Sequence, residues 1–253
     1  DEASYVNVLV DVVAETLHLI ASRRLMRVIL HELLKTRSSV RWSDWIEGIA
    51  SLNTRGNIRL SQYQEASVYA MKDVALHFGR VLECDSSDLL DKVTRYKGCV
   101  SICTAGLAPE MASLLASLVL HWAYETRTES DAASPCLFLF DDALPLIHGS
   151  QSAEAEGGTS PLTTWSFMGR SRGLGILAAA QNFSLVSPAL RNNCETIVIC
   201  GGSVGADARE LAAHLHLTKE QQLKLTQMQP GEVVVYSRSV WHLPVFGRVP
   251  LIP

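Results

Sequence analysis

Two adjacent carboxylates, Asp141 and Asp142, directly follow the apolar run Cys136–Phe140. A run of this kind predicts a central strand of a parallel sheet that is buried on both faces. Open α/β sheets bind ligands at the carboxyl ends of such strands, where these two side chains would lie. One carboxylate could hold a hydrated Mg²⁺ ion on a nucleotide, and the next could orient an attacking water molecule. The alternative interpretation is a strand that ends at a turn with two surface aspartates.

A side-chain amide, Gln181, follows the next predicted strand, over residues 175–180. At the carboxyl end of a neighbouring strand, this amide could contact the terminal phosphate of a nucleotide or the attacking water. Taken alone, Gln181 is more simply interpreted as a polar residue that leaves a strand. Its position relative to Asp141 and Asp142 is what makes it a candidate.

Three arginines could contact a phosphate, either directly or across a subunit boundary as an arginine finger. Arg170 and Arg172 lie in a basic turn before residues 175–180, and Arg191 precedes the predicted strand Thr196–Cys200. For each arginine alone, a solvated basic surface is the favoured interpretation.

The pattern of apolar residues along the chain changes at about residue 78. Apolar residues recur at helical spacing over residues 1–78, including Val6, Val10 and Val13, which predicts an all-helical subdomain. Ser61 with Gln64 predicts a capping-box start for its last helix. Residues 79–253 alternate strands and helices, which predicts a mostly parallel α/β sheet flanked by helices. The predicted strands cover residues 80–84, 99–104, 136–140, 175–180, 196–200 and 232–237.

Composition limits the classes of protein to which the chain can belong. A content of 47% hydrophobic and 19% charged residues is ordinary for a globular protein of 253 residues. The net charge of −4 gives no global nucleic-acid signature, so any DNA contact would need a local patch or the lumen of an assembly. No apolar stretch reaches the roughly 18 residues that a membrane span needs.

Six cysteines, without the spacing of a zinc site, favour free thiols in a reducing cytoplasm. No basic-then-apolar leader is visible, so secretion has no support. A first residue of Asp1 rather than Met suggests a piece of a longer polypeptide.

Several motifs in order resemble those of the HerA–FtsK superfamily of P-loop motor ATPases, over nearly the whole chain. The apolar strand with Asp141 and Asp142 resembles the Walker B strand of that superfamily. Residues 169–181 read GRSRGLGILAAAQ and are similar to its GRxxGxGxxxxxQ segment. Residues 228–235 read MQPGEVVV and resemble its Pro-Gly-Glu turn before a hydrophobic strand. The helical residues 1–78 resemble its helical insertion.

The resemblance implies a RecA-like α/β core with an N-terminal all-helical subdomain, cut from an ATP-driven DNA translocase. It implies that Asp141 holds Mg²⁺, Asp142 positions the hydrolytic water and Gln181 senses the γ-phosphate of ATP. It also implies that Arg170, Arg172 or Arg191 reaches into a neighbour's site within a homo-oligomer, such as a hexameric ring. DNA and a partner nuclease, or a secretion or defence component, are the implied partners of the parent protein.

Two departures from the family pattern support an alternative. No Walker A motif, GxxxxGK[ST], occurs in the sequence, and Asp142 stands where many relatives carry glutamate. Without the Walker A lysine and backbone cradle, triphosphate binding loses its main anchor. The 253 residues by themselves are therefore expected to be inactive, and the alternative is a degenerate ATPase-like scaffold that does not hydrolyse ATP.

Overall fold

Two units make up the chain in the computed structural model, which describes residues 2–37, 39–79, 82, 98–142 and 161–250. The first unit comprises Asp1–Phe138 with Ser160–Gly175, and the second comprises Leu139–Thr159 with Ile176–Pro253. The boundary predicted after residue 78 is a different division of the chain, and it stays a prediction. Within the described residues, no helix combines the length and apolar content that crossing a membrane requires.

Helices form most of the described part of the first unit. Val6, Val10 and Val13 follow one another at helical spacing and are fully buried, so the apolar periodicity has become a packed face. Burying a side chain of this size stabilises the fold by about 1.5–3 kcal/mol. The helices are α1 (Glu2–Thr16), α2 (Arg23–Thr36), α3 (Trp42–Ala50), α4 (Ile58–Phe78), α5 (Pro109–Thr126) and α6 (Pro161–Met168).

Helix α4 begins one turn earlier than Ser61, where the sequence predicts its start. The Asn57 side chain accepts a hydrogen bond from the Leu60 N–H at 3.0 Å and so caps the helix. Ser61 lies inside the helix. Gln64, the predicted box partner, instead donates to the carbonyls of Ile49, Ala50 and Leu52 at the end of α3. A local cap closer to the loop therefore displaced the predicted one.

Residues 99–104, predicted as a strand, form no regular structure. Val100 and Ile102 are 44% and 47% exposed, and no described strand pairs with this stretch. Because a strand needs a hydrogen-bonded neighbour, apolar and β-branched composition alone did not produce one here. The strand predicted over residues 80–84 lies, apart from residue 82, outside the described residues.

One described pair of strands is parallel: β1 (Cys136–Phe140) and β2 (Leu174–Ala178). The Cys136 N–H donates to Gly173 O, and the Ala179 N–H donates to Phe140 O, both at 2.9 Å. The predicted burial of β1 on both faces is wrong. Leu137 and Leu139 are 63% and 67% exposed because no described element covers their face of the strand.

A three-stranded antiparallel sheet lies in the second unit, so the described strands do not confirm a mostly parallel sheet. β4 pairs with both β3 and β5, and the connection of three residues between β4 and β5 forces them to run in opposite directions. Two helices pack on one face, with Leu211, Leu225 and Val234 in a shared core. The elements after β2 are α7 (Pro188–Asn193), β3 (Thr196–Cys200), α8 (Gly205–His214), α9 (Lys219–Gln227), β4 (Glu232–Ser237) and β5 (Trp241–Arg248).

Candidate functional site

The predicted acids and the predicted amide lie together. Gln181 Nε2 donates to Asp142 Oδ1 at 3.2 Å, and the side chains of Asp141, Asp142 and Gln181 are all exposed. The pairing of β1 with β2 explains this placement, because the hydrogen bond from Ala179 to Phe140 aligns the ends of the two strands. Gln181, 39 positions after Asp142 in the sequence, therefore shares one surface of the second unit with the two aspartates.

The backbone at Asp142 has a left-handed conformation, with φ of 48°. Few residues other than glycine adopt this conformation, and aspartate and asparagine are among those that tolerate it best. The Asp142 N–H donates to Asp141 Oδ1 at 3.1 Å, which stabilises the turn locally. This conformation gives a physical reason for aspartate, rather than the longer glutamate, at position 142.

Carboxylate and amide oxygens at this position suit a hard divalent cation. Mg²⁺ is commonly held by one or two carboxylates together with substrate phosphates and water, rather than by an all-protein cage. The described residues contain no cluster of three or more His, Cys, Asp or Glu side chains that could hold a metal. Asp141 and Asp142 therefore fit the protein's share of a nucleotide-bound Mg²⁺ site.

The glycine-rich turn after β3, residues 201–205, packs closely against the end of α9. A Cβ atom at Gly202 would lie 2.9 Å from the backbone carbonyl oxygen of Met228, a distance that real Cβ atoms essentially never show. The neighbouring Ser203 N–H donates to Leu225 O at 3.3 Å. A side chain larger than glycine at position 202 would therefore push the turn away from α9.

The basic turn Gly169–Arg172, in the first unit, has one arginine that is tied to the fold. Arg172 Nη1 donates to Tyr124 O, and the Arg172 guanidinium carbon lies 3.8 Å from the centre of the Tyr124 ring. Arg170 is exposed, and among the described residues no hydrogen bond or ion pair engages its side chain. Only Arg170 of this pair has a guanidinium without a partner in the described part of its own chain.

Arg127 holds the basic turn in place, a role that the sequence did not reveal. Its Nε donates to Arg172 O at 3.0 Å, and its Nη2 donates to Asp131 O at 2.7 Å and to Ser134 O. One planar guanidinium thus joins the residues after α5 to the turn before β2. Its only sequence signal was an arginine directly after a long apolar helix.

Arg191, the third candidate arginine, is mostly buried in the second unit. Its side chain is 14% exposed, and its Nη1 forms an ion pair with Glu210 Oε2 on α8. Its guanidinium carbon also lies 4.9 Å from the ring centre of Phe183. The nearby His214 has a pKa below its ordinary value, chiefly because of burial and then because of the positive charge of Arg191. Arg191 therefore has partners within its own unit.

Two of the solved structures that resemble this chain are VirB4 and a genome packaging NTPase. VirB4 of Thermoanaerobacter pseudethanolicus matches with a TM-score of 0.62 and 13% sequence identity, covering 97% of this chain and 69% of VirB4. The genome packaging NTPase B204 from Sulfolobus turreted icosahedral virus 2, in complex with ATP-gammaS, matches with a TM-score of 0.47 and 12% identity, over 64% of this chain and 72% of B204. No protein-family model and no curated protein matches the sequence.

The similarity to VirB4 concerns the fold. It extends over almost all of the chain, so the resemblance to HerA–FtsK-type ATPases that the sequence predicts is confirmed at the level of fold. A RecA-like arrangement of the sheet is not confirmed, because the described strands form one parallel pair and one antiparallel sheet.

Proposed function

We propose that this chain is the Walker B half of an ATP-driven motor of the HerA–FtsK type, which hydrolyses ATP to move DNA. The observation that carries the proposal is the contact between Gln181 Nε2 and Asp142 Oδ1 at the carboxyl ends of two adjacent parallel strands. An acid and an amide in this arrangement can act together on one phosphate and one water molecule. The overall fold, shared with VirB4 over 97% of the chain, supports it.

Each residue of the site has a proposed role in this reaction. Asp141 holds Mg²⁺, directly or through water, and the ion, when bound, neutralises charge on the phosphates of ATP. Asp142 accepts a hydrogen bond from the attacking water and orients it. Gln181 donates its amide N–H to the γ-phosphate or to the same water. The cradle for the other phosphates would come from a Walker A motif in the parent polypeptide, because the 253 residues contain none.

Arg170 is our candidate for the arginine that acts on a neighbouring subunit. A finger must have a guanidinium that its own subunit leaves available. Arg172 and Arg191 have partners within their own units, whereas Arg170 is exposed and its side chain forms no ion pair or hydrogen bond with the described residues. This role requires an oligomer, for which we propose a homo-oligomeric ring that is hexameric. A net charge of −4 places any DNA-binding surface in a local patch, such as the lumen of that ring.

The proposal is tested by ATP turnover of the parent polypeptide with Asp142→Asn. Loss of the water-orienting carboxylate should lower kcat by about 100-fold or more, while nucleotide binding remains. Asp73→Asn, an exposed aspartate on α4, is the matched control and should have wild-type turnover. Unchanged turnover in the Asp142 variant would remove this residue from the mechanism.

The absence of a Walker A motif favours a second candidate, an ATPase-like scaffold that does not hydrolyse ATP. The two candidates differ in the parent polypeptide, where a strand followed by GxxxxGK[ST] supports the motor and its absence supports the scaffold. Both predict that the 253-residue chain binds ATP only weakly. Isothermal titration calorimetry that gave a micromolar Kd would contradict the assignment of phosphate binding to another segment.

A further inference from the structure

The polypeptide that follows Gln181 is attached to helix α8 of the same unit. Residues Phe183–Leu185 form a single 3₁₀ turn, and the Ser184 N–H donates to Asp207 Oδ1 at 2.9 Å. Asp207 lies in the first turn of α8. A hydrogen bond to an ionised carboxylate is stronger than one between neutral groups, so this contact fixes the turn to the start of the helix.

The Phe183 ring makes the second attachment. It packs against the core of the second unit and lies 5.5 Å from the His214 ring, measured between ring centres. The Arg191 guanidinium lies near the same ring, at 4.9 Å, and forms an ion pair with Glu210. Asp207, Glu210 and His214 all belong to α8, so this helix contacts the turn, the Phe183 ring and Arg191.

We infer that Arg191 is a positioning residue that acts within its own subunit and holds Gln181 beside Asp142. The name Arg191 clamp is used here for the four residues Phe183, Arg191, Asp207 and Glu210. The consequence for catalysis rests on the proposed function, since it matters only where Gln181 acts on a nucleotide. The structural consequence, a fixed Gln181, does not depend on it.

The hydrogen bond between Gln181 and Asp142 needs such support. Both side chains are exposed, and a single exposed hydrogen bond gains little over the bonds that each group makes with water. Gln181 has three rotatable side-chain bonds that place its amide group, and it lies two residues from Phe183. Fixing Phe183 restricts the backbone at Gln181, which lowers the conformational entropy lost when the amide reaches Asp142.

The first test measures the chain itself by NMR and hydrogen exchange. In Arg191→Ala, the Ser184 backbone amide should exchange about 10-fold faster or more, which corresponds to a local opening that is about 1.4 kcal/mol more favourable. The side-chain amide signals of Gln181 should move to the positions of a free glutamine. Arg209→Ala, which removes an exposed arginine from α8, is the matched control. It should leave the exchange rate of the Ser184 amide within about 2-fold of wild type and the Gln181 side-chain signals at their wild-type positions.

Two more conservative substitutions test the same inference in case Arg191→Ala does not fold. Glu210→Gln removes the ion pair but keeps the helix and the stacking of Arg191 on Phe183, so it should give a smaller acceleration of Ser184 exchange. Arg191→Lys keeps the charge but not the planar stacking, and it should restore only part of the protection. If all three variants fold and Gln181 and Ser184 behave as in wild type, the clamp is wrong.

A second test in the parent polypeptide separates positioning from direct catalysis. Arg191→Ala should lower kcat with little change in KM for ATP, and combining it with Gln181→Ala should give no further loss beyond Gln181→Ala alone. Additive losses would show that Arg191 acts independently of Gln181 and would overturn the inference. If Gln181→Ala itself has full turnover, the proposed function fails, while the NMR result for the clamp still stands.

Discussion

The backbone N–H of Asp142 donates to Oδ1 of the preceding Asp141 at 3.1 Å, in a turn where Asp142 has φ of 48°. The strand β1 therefore ends in a left-handed residue whose side chain turns to Gln181 on the neighbouring strand. Left-handed residues other than glycine store conformational free energy and occur disproportionately at functional sites. This turn makes the acidic end of β1 testable by stability as well as by activity.

Asp142→Gly should be more stable than Asp142→Ala by about 1 kcal/mol, because glycine adopts positive φ without a steric cost and alanine does not. The measurement is the free energy of unfolding of each variant from urea titrations. Asp141→Gly and Asp141→Ala form the control pair. Asp141 is not among the residues with positive φ, so alanine should be the more stable of that pair. The same order at both positions would contradict a left-handed Asp142.

Arg127→Lys should destabilise the chain by about 2 kcal/mol, because an ammonium group cannot replace a fork that contacts three separate carbonyls. The three acceptors belong to Asp131, Ser134 and Arg172. Arg170→Lys, in the same basic turn but exposed, should change the free energy of unfolding by less than about 0.5 kcal/mol. Equal effects of the two substitutions would show that Arg127 does not hold the turn.

His121 should make the chain less stable in acid. It is 1% exposed, it stacks on Trp165 with ring centres 6.0 Å apart, and burial lowers its pKa from 6.5 to about 4. Between these two pKa values, His121 is protonated in the unfolded chain and neutral in the folded chain. The stabilisation from His121 is complete above pH 6.5 and falls by about 2–3 kcal/mol as the pH decreases to 4. His121→Phe should remove this dependence in urea titrations at each pH.

Glu15 should act in the opposite direction in nearly the same pH range. Burial raises its pKa from 4.5 to about 7, although Arg23 at 3.5 Å opposes the shift. Between these two pKa values the folded chain binds a proton that the unfolded chain has lost. The stabilisation from protonated Glu15 is therefore complete below pH 4.5 and decreases as the pH rises to 7. Glu15→Gln should therefore steepen the dependence due to His121 by removing its counterpart. A flat profile between pH 4.5 and 6.5 in this variant would contradict the pKa shift of His121, and a slope equal to that of wild type would contradict the shift of Glu15.

The sequence determined the local elements of this protein wherever one physical signal dominated. The apolar run before Asp141 predicted β1, and the valines of α1 predicted a buried helical face, because side-chain periodicity depends only on neighbours along the chain. The order of Asp142 and Gln181 after successive strands also predicted that they would lie together. That prediction needed only two adjacent parallel strands.

Tertiary structure alone decided which of the candidate residues have partners. Arg172 contacts Tyr124, 48 residues away, and Arg191 contacts Glu210, 19 residues away. No local sequence pattern predicts contacts over such separations. Gln64, predicted to cap α4 together with Ser61, instead contacts carbonyls 12 to 15 residues earlier in the sequence, and the helix begins at Ile58 with Asn57 as its cap. Composition likewise did not predict that one face of β1 is exposed or that β3, β4 and β5 pair in antiparallel fashion. Long-range packing selects among the arrangements that local propensities leave nearly equal in free energy, and that is why these features had to be seen in three dimensions.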